Sequence, residues 1–158
     1  MFSHDMVKME GHVALFLSTF TNKIDKKGRV SIPAPFRTVL SMQSFQGIVL
    51  FRSLNRPVID GCGVDRLNRL SEQLETGDFI PSANHDYTAM MFAEARMLSF
   101  DAEGRVSIPE DLLQHAAIQE QITFVGRGPT FELWCPTAFA RDHEQCRQRL
   151  LSKQGGQG

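Results

Sequence analysis

A nine-residue motif occurs twice in this chain. Asp25-Lys26-Lys27-Gly28-Arg29-Val30-Ser31-Ile32-Pro33 returns as Asp101-Ala102-Glu103-Gly104-Arg105-Val106-Ser107-Ile108-Pro109, identical at seven of nine positions and offset by 76 residues. Self-similarity at a fixed spacing constrains architecture, because each copy must build the same supersecondary unit. The residues after each copy also match in kind: a short amphipathic helix, an apolar strand, a turn and another strand. The first helix starts near Pro33 to Pro35, where proline is tolerated, and puts Phe36, Val39 and Leu40 on one face. The second starts at Pro109-Glu110-Asp111, with the acids at the positive end of the helix dipole and Leu112, Leu113 and Ala116 as its apolar stripe.

Strands are predicted at Gly47 to Phe51 and Gln121 to Val125, followed across turns by Val58-Ile59 and Phe131 to Trp134. Each half then closes with a helix, Val64 to Leu74 and Thr137 to Leu151. A unit of about 75 residues has a marginal core of its own, so two copies in one chain are expected to bury their apolar faces against each other. The expected organisation is a flexible extension over 1–13, a first repeat over 14–76, a second over 90–151 and a disordered Gly/Gln-rich tail over 152–158.

Within the repeated motif, strand alternation sends Val30 and Ile32 to the core and Arg29 and Ser31 outward, and Lys23 faces away from Phe20 and Ile24. Gly28 stands where a hairpin needs positive φ, with Lys26 and Lys27 at the tip. Lys23, Lys26, Lys27 and Arg29 thus gather around one acid, Asp25. A two-stranded ribbon of that kind fits the DNA major groove, where arginine meets guanine and lysine meets phosphate. The second copy is weaker: residues 101–105 sum to -1 against +2 for 25–29. With 17 basic and 18 acidic residues the net charge is -1, so attraction to DNA has to be local. The same Asp-x-x-Gly-Arg turn also has a purely structural reading, in which the carboxylate accepts turn amides and pairs with the arginine.

Other chemistries find little support. Cys62, Cys135 and Cys146 are too few and scattered for a disulfide framework and suit a reducing cytoplasm. His143 and Cys146 lack a partner pair at zinc spacing, and the remaining histidines sit singly, so no metal or other cofactor is expected. No stretch approaches the roughly 20 apolar residues of a membrane span, and no small-molecule ligand is indicated. Asp25 and Asp101 could suggest a proton-sharing dyad, but each is followed within four residues by an arginine that favours its ionised form, so an enzyme is not expected.

The stretch from Phe16-Leu17-Ser18 to Arg37, the second Asp-x-x-Gly-Arg-Val-Ser-Ile-Pro, and Val125-Gly126 with Phe131-Glu132-Leu133-Trp134 resemble the MraZ family, the tandem branch of the SpoVT/AbrB-like swapped-hairpin superfamily. The resemblance spans roughly residues 15–150. It implies a β-rich α+β fold of tandem, pseudo-two-fold swapped-hairpin β-barrel halves with short helices. It also implies a cytoplasmic, nucleoid-associated regulator that binds short direct repeats of double-stranded promoter DNA and represses its own operon in the division and cell-wall gene cluster. Subunits of the family assemble into homo-oligomeric rings. Its DNA-contact arginine maps onto Arg29 and, in the second copy, Arg105, with Asp25, Gly28, Asp101 and Gly104 orienting the turns. The residues before Ala14, and Ala102-Glu103 in place of two lysines, depart from the family pattern. The alternative is a protein-binding module of the antitoxin kind found on the same fold, although the expected tail is short for that role.

Overall fold

The computed structural model describes residues 15–76 and 82–157, so the expected extension over 1–13 lies outside the described residues. Eight strands and five helices follow one another among them: β1 Thr19–Lys23, β2 Arg29–Ser31, α1 Ala34–Leu40, β3 Gly47–Arg52, β4 Ile59–Cys62, α2 Val64–Glu75, α3 Ser82–Glu94, β5 Arg96–Ser99, β6 Arg105–Ser107, α4 Glu110–His115, β7 Gln121–Gly126, β8 Phe131–Trp134 and α5 Pro136–Gln157. The class is α+β, as the sequence predicts.

Six strands form one antiparallel sheet in the order β1-β7-β8-β4-β3-β5, and β2 pairs with β6 in a separate ribbon. The order reads the same from either end once each strand is exchanged with its repeat equivalent, so a pseudo-two-fold axis passes between β4 and β8. The swap is visible in the outer strands. β1 pairs with β7 of the second half, Lys23 opposite Gln121, and β5 pairs with β3 of the first, Ser99 opposite Gly47. The expected barrel halves are not closed: the sheet ends at β1 and β5. Strands β2 and β6 stand apart from it and pair with each other.

Alternation along the strands sorts the two sheet faces. Ile48, Leu50, Ile59, Ile122, Phe124, Phe131 and Leu133 turn to one side, where α1, α4 and the inward residues of the ribbon, Val30, Ile32, Val106 and Ile108, join them in a single core. Phe36 of α1 is fully buried at its centre, ringed by Phe16, Phe20, Phe124 and Phe131 with centroids 5.2 to 6.3 Å away. Losing such a side chain to alanine costs about 3–5 kcal/mol. On the other face α5 covers Val58, Val125 and Trp134 with Phe139, and Tyr87 of α3 packs edge-on against Phe51. Both faces being covered explains why β3 is buried from Gly47 to Phe51.

Three features differ from the sequence prediction. Helix α3 has no counterpart in it, and residue 90, the expected start of the second repeat, falls inside that helix. Helix α5 runs to Gln157, through most of the segment expected to be a disordered tail. A helix already nucleated and packed through Phe139 adds one hydrogen bond per further residue, which offsets the poor propensity of the glycines there. The helices also hold more residues than the strands, so the chain is not rich in β-structure by residue count. None of the described helices is long and apolar enough to cross a membrane.

Candidate nucleic-acid interface

Each repeated motif folds into a turn clasped by its own aspartate. Asp25 Oδ1 accepts the backbone N–H of Lys27 and of Arg29, both at 2.9 Å, and Oδ2 accepts Arg29 Nε at 2.7 Å. Asp101 repeats the arrangement with the N–H groups of Glu103 and Arg105 at 2.9 Å and Arg105 Nε at 2.9 Å. Gly28 and Gly104 close the turns at φ +82° and +75°, a conformation that disfavours residues with a Cβ. Donation from the Arg29 amide, aided by the arginine side chain and the Lys27 amide, holds Asp25 below the ordinary carboxylate range. The Arg105 amide is likewise the first cause of the low pKa of Asp101. Two carboxylates each held ionised by their own arginine are not a proton-sharing dyad.

The two turns are joined rather than separate. Val30 pairs with Val106, Arg29 lies opposite Ser107 and Arg105 opposite Ser31. Each strand end bonds to the other half's turn glycine, Ile32 N to Gly104 O at 3.3 Å and Ile108 N to Gly28 O at 2.8 Å. The turns therefore sit at opposite ends of a ribbon made of one strand from each half. This corrects the sequence prediction of a self-contained strand-turn-strand ribbon. β1 and the two residues after it meet β2 through the isolated bridge Ile24–Val30, the Asp25 N–H donating to Arg29 O at 2.9 Å and Asn22 Nδ2 donating to Ser31 O, because the ladder of β1 itself runs along β7.

Val30 and Val106 are buried beneath the ribbon, so the alternation that sinks them lifts Arg29, Ser31, Arg105 and Ser107 to one outer face. Lys26 and Lys27 are exposed at the first tip, and Lys23 is exposed at the end of β1. None of the three lysines joins an ion pair among the described residues. At the second tip Ala102 and Glu103 are exposed, and Glu103 lies 3.7 Å from Arg105 Nη2. Among the described residues the Nη atoms of Arg29 make no hydrogen bond, leaving that edge of the guanidinium open as a two-pronged donor.

One cation near the ribbon is absent from the sequence prediction. Arg37 of α1 reaches under the second turn, where a Cβ added to Gly104 would stand 2.5 Å from Arg37 Nη1. Its Nε is buried without a hydrogen-bond partner among the described residues. The only sequence signal is that Arg37 stands where the second repeat has the apolar Leu113. No cluster of three or more metal-ligating side chains occurs among the described residues.

Residues 91–154 match a family model described as "MraZ protein, putative antitoxin-like". Curated relatives cover nearly the whole chain. A protein of Rickettsia akari named "Transcriptional regulator MraZ" is 39% identical over 140 residues, 89% of this chain and 93% of its own length. Proteins of the same name from Rickettsia bellii and Rickettsia canadensis are each 42% identical, over 86% and 80% of this chain and 91% and 85% of their own lengths.

Proposed function

Since the chain belongs to the MraZ family of transcriptional regulators, we propose that it regulates transcription by laying the β2–β6 ribbon in the major groove of promoter DNA. The observation that carries this reading is the pair of aspartate-clasped arginines on one outer face of a ribbon whose other face is sealed in the core. A two-stranded ribbon has the width of a major groove, and the clasp fixes each guanidinium before binding, so less side-chain entropy is lost on contact. In this reading Arg29 contacts bases, Lys26 and Lys27 contact phosphates, Lys23 and Arg105 add to the grip, and Asp25, Gly28, Asp101 and Gly104 hold the turns.

The finer picture is a cytoplasmic, nucleoid-associated repressor of its own operon in the division and cell-wall gene cluster. Several subunits of a ring engage successive direct repeats, so that weak single contacts add through effective concentration. That route lets a chain of net charge -1 hold DNA. A gel-shift titration against the upstream promoter region, at low and moderate salt, tests the core of it. Wild type is expected to bind in a salt-sensitive way, and Arg29→Ala to lose roughly tenfold or more while keeping its circular dichroism spectrum. Absence of wild-type binding at every salt concentration sinks the reading and favours the antitoxin-like alternative named by the family model, a module that binds a protein.

A further inference from the structure

We propose that the ribbon meets the duplex tilted, first turn down, so that Arg29 reads bases while its pseudo-symmetric mate Arg105 is held back at the groove edge and adds only a minor contact to the grip, and that the charges at the turn tips decide this. The inference rests on the DNA-binding reading above and specifies how that site works.

The backbone provides no reason for a tilt. Both turns carry the same aspartate clasp, the same positive-φ glycine and reciprocal bonds between each strand end and the opposite turn. Arg29 and Arg105 occupy equivalent registers about Val30–Val106. DNA provides none either, since its phosphates recur about every 1.7 Å of helix axis and both ends of a ribbon about 10 Å long face the same charge density. What differs is the tips.

The first tip presents Lys26 and Lys27, both exposed and outside any ion pair among the described residues. The second presents Ala102 and an exposed Glu103, which a phosphate repels. Arg37 sets one guanidinium beside Gly104, with its Nε buried, which makes the second end less negative but does not match the two exposed lysines of the first. The arginines themselves share the same bias. The Nη atoms of Arg29 are open, whereas Arg105 Nη2 is 3.7 Å from the Glu103 carboxylate.

A stiff ribbon with cations at one end and an anion at the other therefore rotates its first end toward the polyanion. The consequence is a pseudo-symmetric scaffold that reads a site without two-fold symmetry, so on direct repeats of one duplex successive chains all point the same way.

The experiment exchanges the tips. Lys26→Ala, Lys27→Glu, Ala102→Lys and Glu103→Lys together leave the net charge unchanged, and the clasps survive because they use the backbone N–H groups of residues 27 and 103. Arg29→Ala and Arg105→Ala are then each placed in the wild-type and the exchanged background and titrated by fluorescence anisotropy on a duplex from the chain's own upstream region. In the wild type, Arg29→Ala is expected to weaken binding roughly tenfold or more and Arg105→Ala no more than about threefold; in the exchanged background the two losses trade places. Arg105→Lys keeps the charge and serves if Arg105→Ala fails to fold: it is expected to be nearly neutral in the wild type and costly after the exchange.

Equal losses for the two arginines in the wild type, or an Arg29 that still dominates after the exchange, overturn the tilt and leave DNA binding standing. A wild type that binds no duplex at any salt overturns both.

Discussion

Asp60 and Glu132 face each other across the β4–β8 seam, on the pseudo-two-fold axis, and the opposite directions of their pKa shifts arise from the donors each can reach. Burial pushes Glu132 up, but hydrogen bonds from Arg56, Trp134 and Arg127 outweigh it and hold the carboxyl below its usual range. Among the described residues Asp60 has one ion-pair partner, Arg56 at 4.0 Å, so burial and the negative Glu132 outweigh Arg56 and the more distant His115 and push it up to about 6. The folded state thus holds the Asp60 proton more tightly than the unfolded chain does. Stability from this site is present below about pH 4, falls as pH rises toward 6 and is lost above it. Asp60→Asn is expected to raise the melting temperature at pH 7.5 by a few degrees, on the order of 1 kcal/mol, and to change little at pH 4. A lower melting temperature at pH 7.5 would show that the Asp60 charge stabilises the seam. Such residues are hard to see in a sequence: Asp25 and Arg29 clasp within one turn and are readable, whereas Asp60, Glu132 and Arg37 acquire their surroundings from the opposite half of the chain.

Among elements, the strands most exposed to a change of context are those whose partners come from the other repeat. β1 has no ladder without β7, β3 loses one of its two neighbours without β5, and β2 has no ribbon without β6. A fragment of residues 1–80 is therefore expected to fold only by taking these partners from a second copy, so its melting midpoint should rise with concentration. A cooperative melt independent of concentration would contradict the interlocked topology. Most strands and the two short helices after the prolines were legible, the strands from alternating or continuous apolar runs and the helices from apolar residues at helical spacing, whereas β5 was not read from the sequence. Helix α3 was not, since Tyr87, Met90 and Met91 share one face but Ala89, Phe92 and Ala93 put apolar residues on the opposite one, which blurs the amphipathic pattern. The destination of β2 was also beyond the local pattern: alternation shows which face of a strand is buried but not which strand lies beside it.

At the scale of the whole molecule, a net charge of -1 and a ribbon with few cations limit what one chain can hold. In the proposed DNA-binding reading each phosphate neutralised adds roughly 0.9 to the salt slope, so a single tip carrying Lys26 and Lys27 is expected to give a shallow dependence and weak binding. If assembly links several ribbons, the second contact becomes intramolecular, and a duplex with three repeats should be bound on the order of a hundredfold more tightly than a duplex with one. The salt slope should steepen in parallel, because every engaged ribbon releases its own counterions. Counting available sites alone produces only about a threefold gain and no change of slope. Titrating both duplexes at three salt concentrations separates the cases: a threefold gain at constant slope means that chains bind repeats independently, and the grip must then come from contacts within a single ribbon.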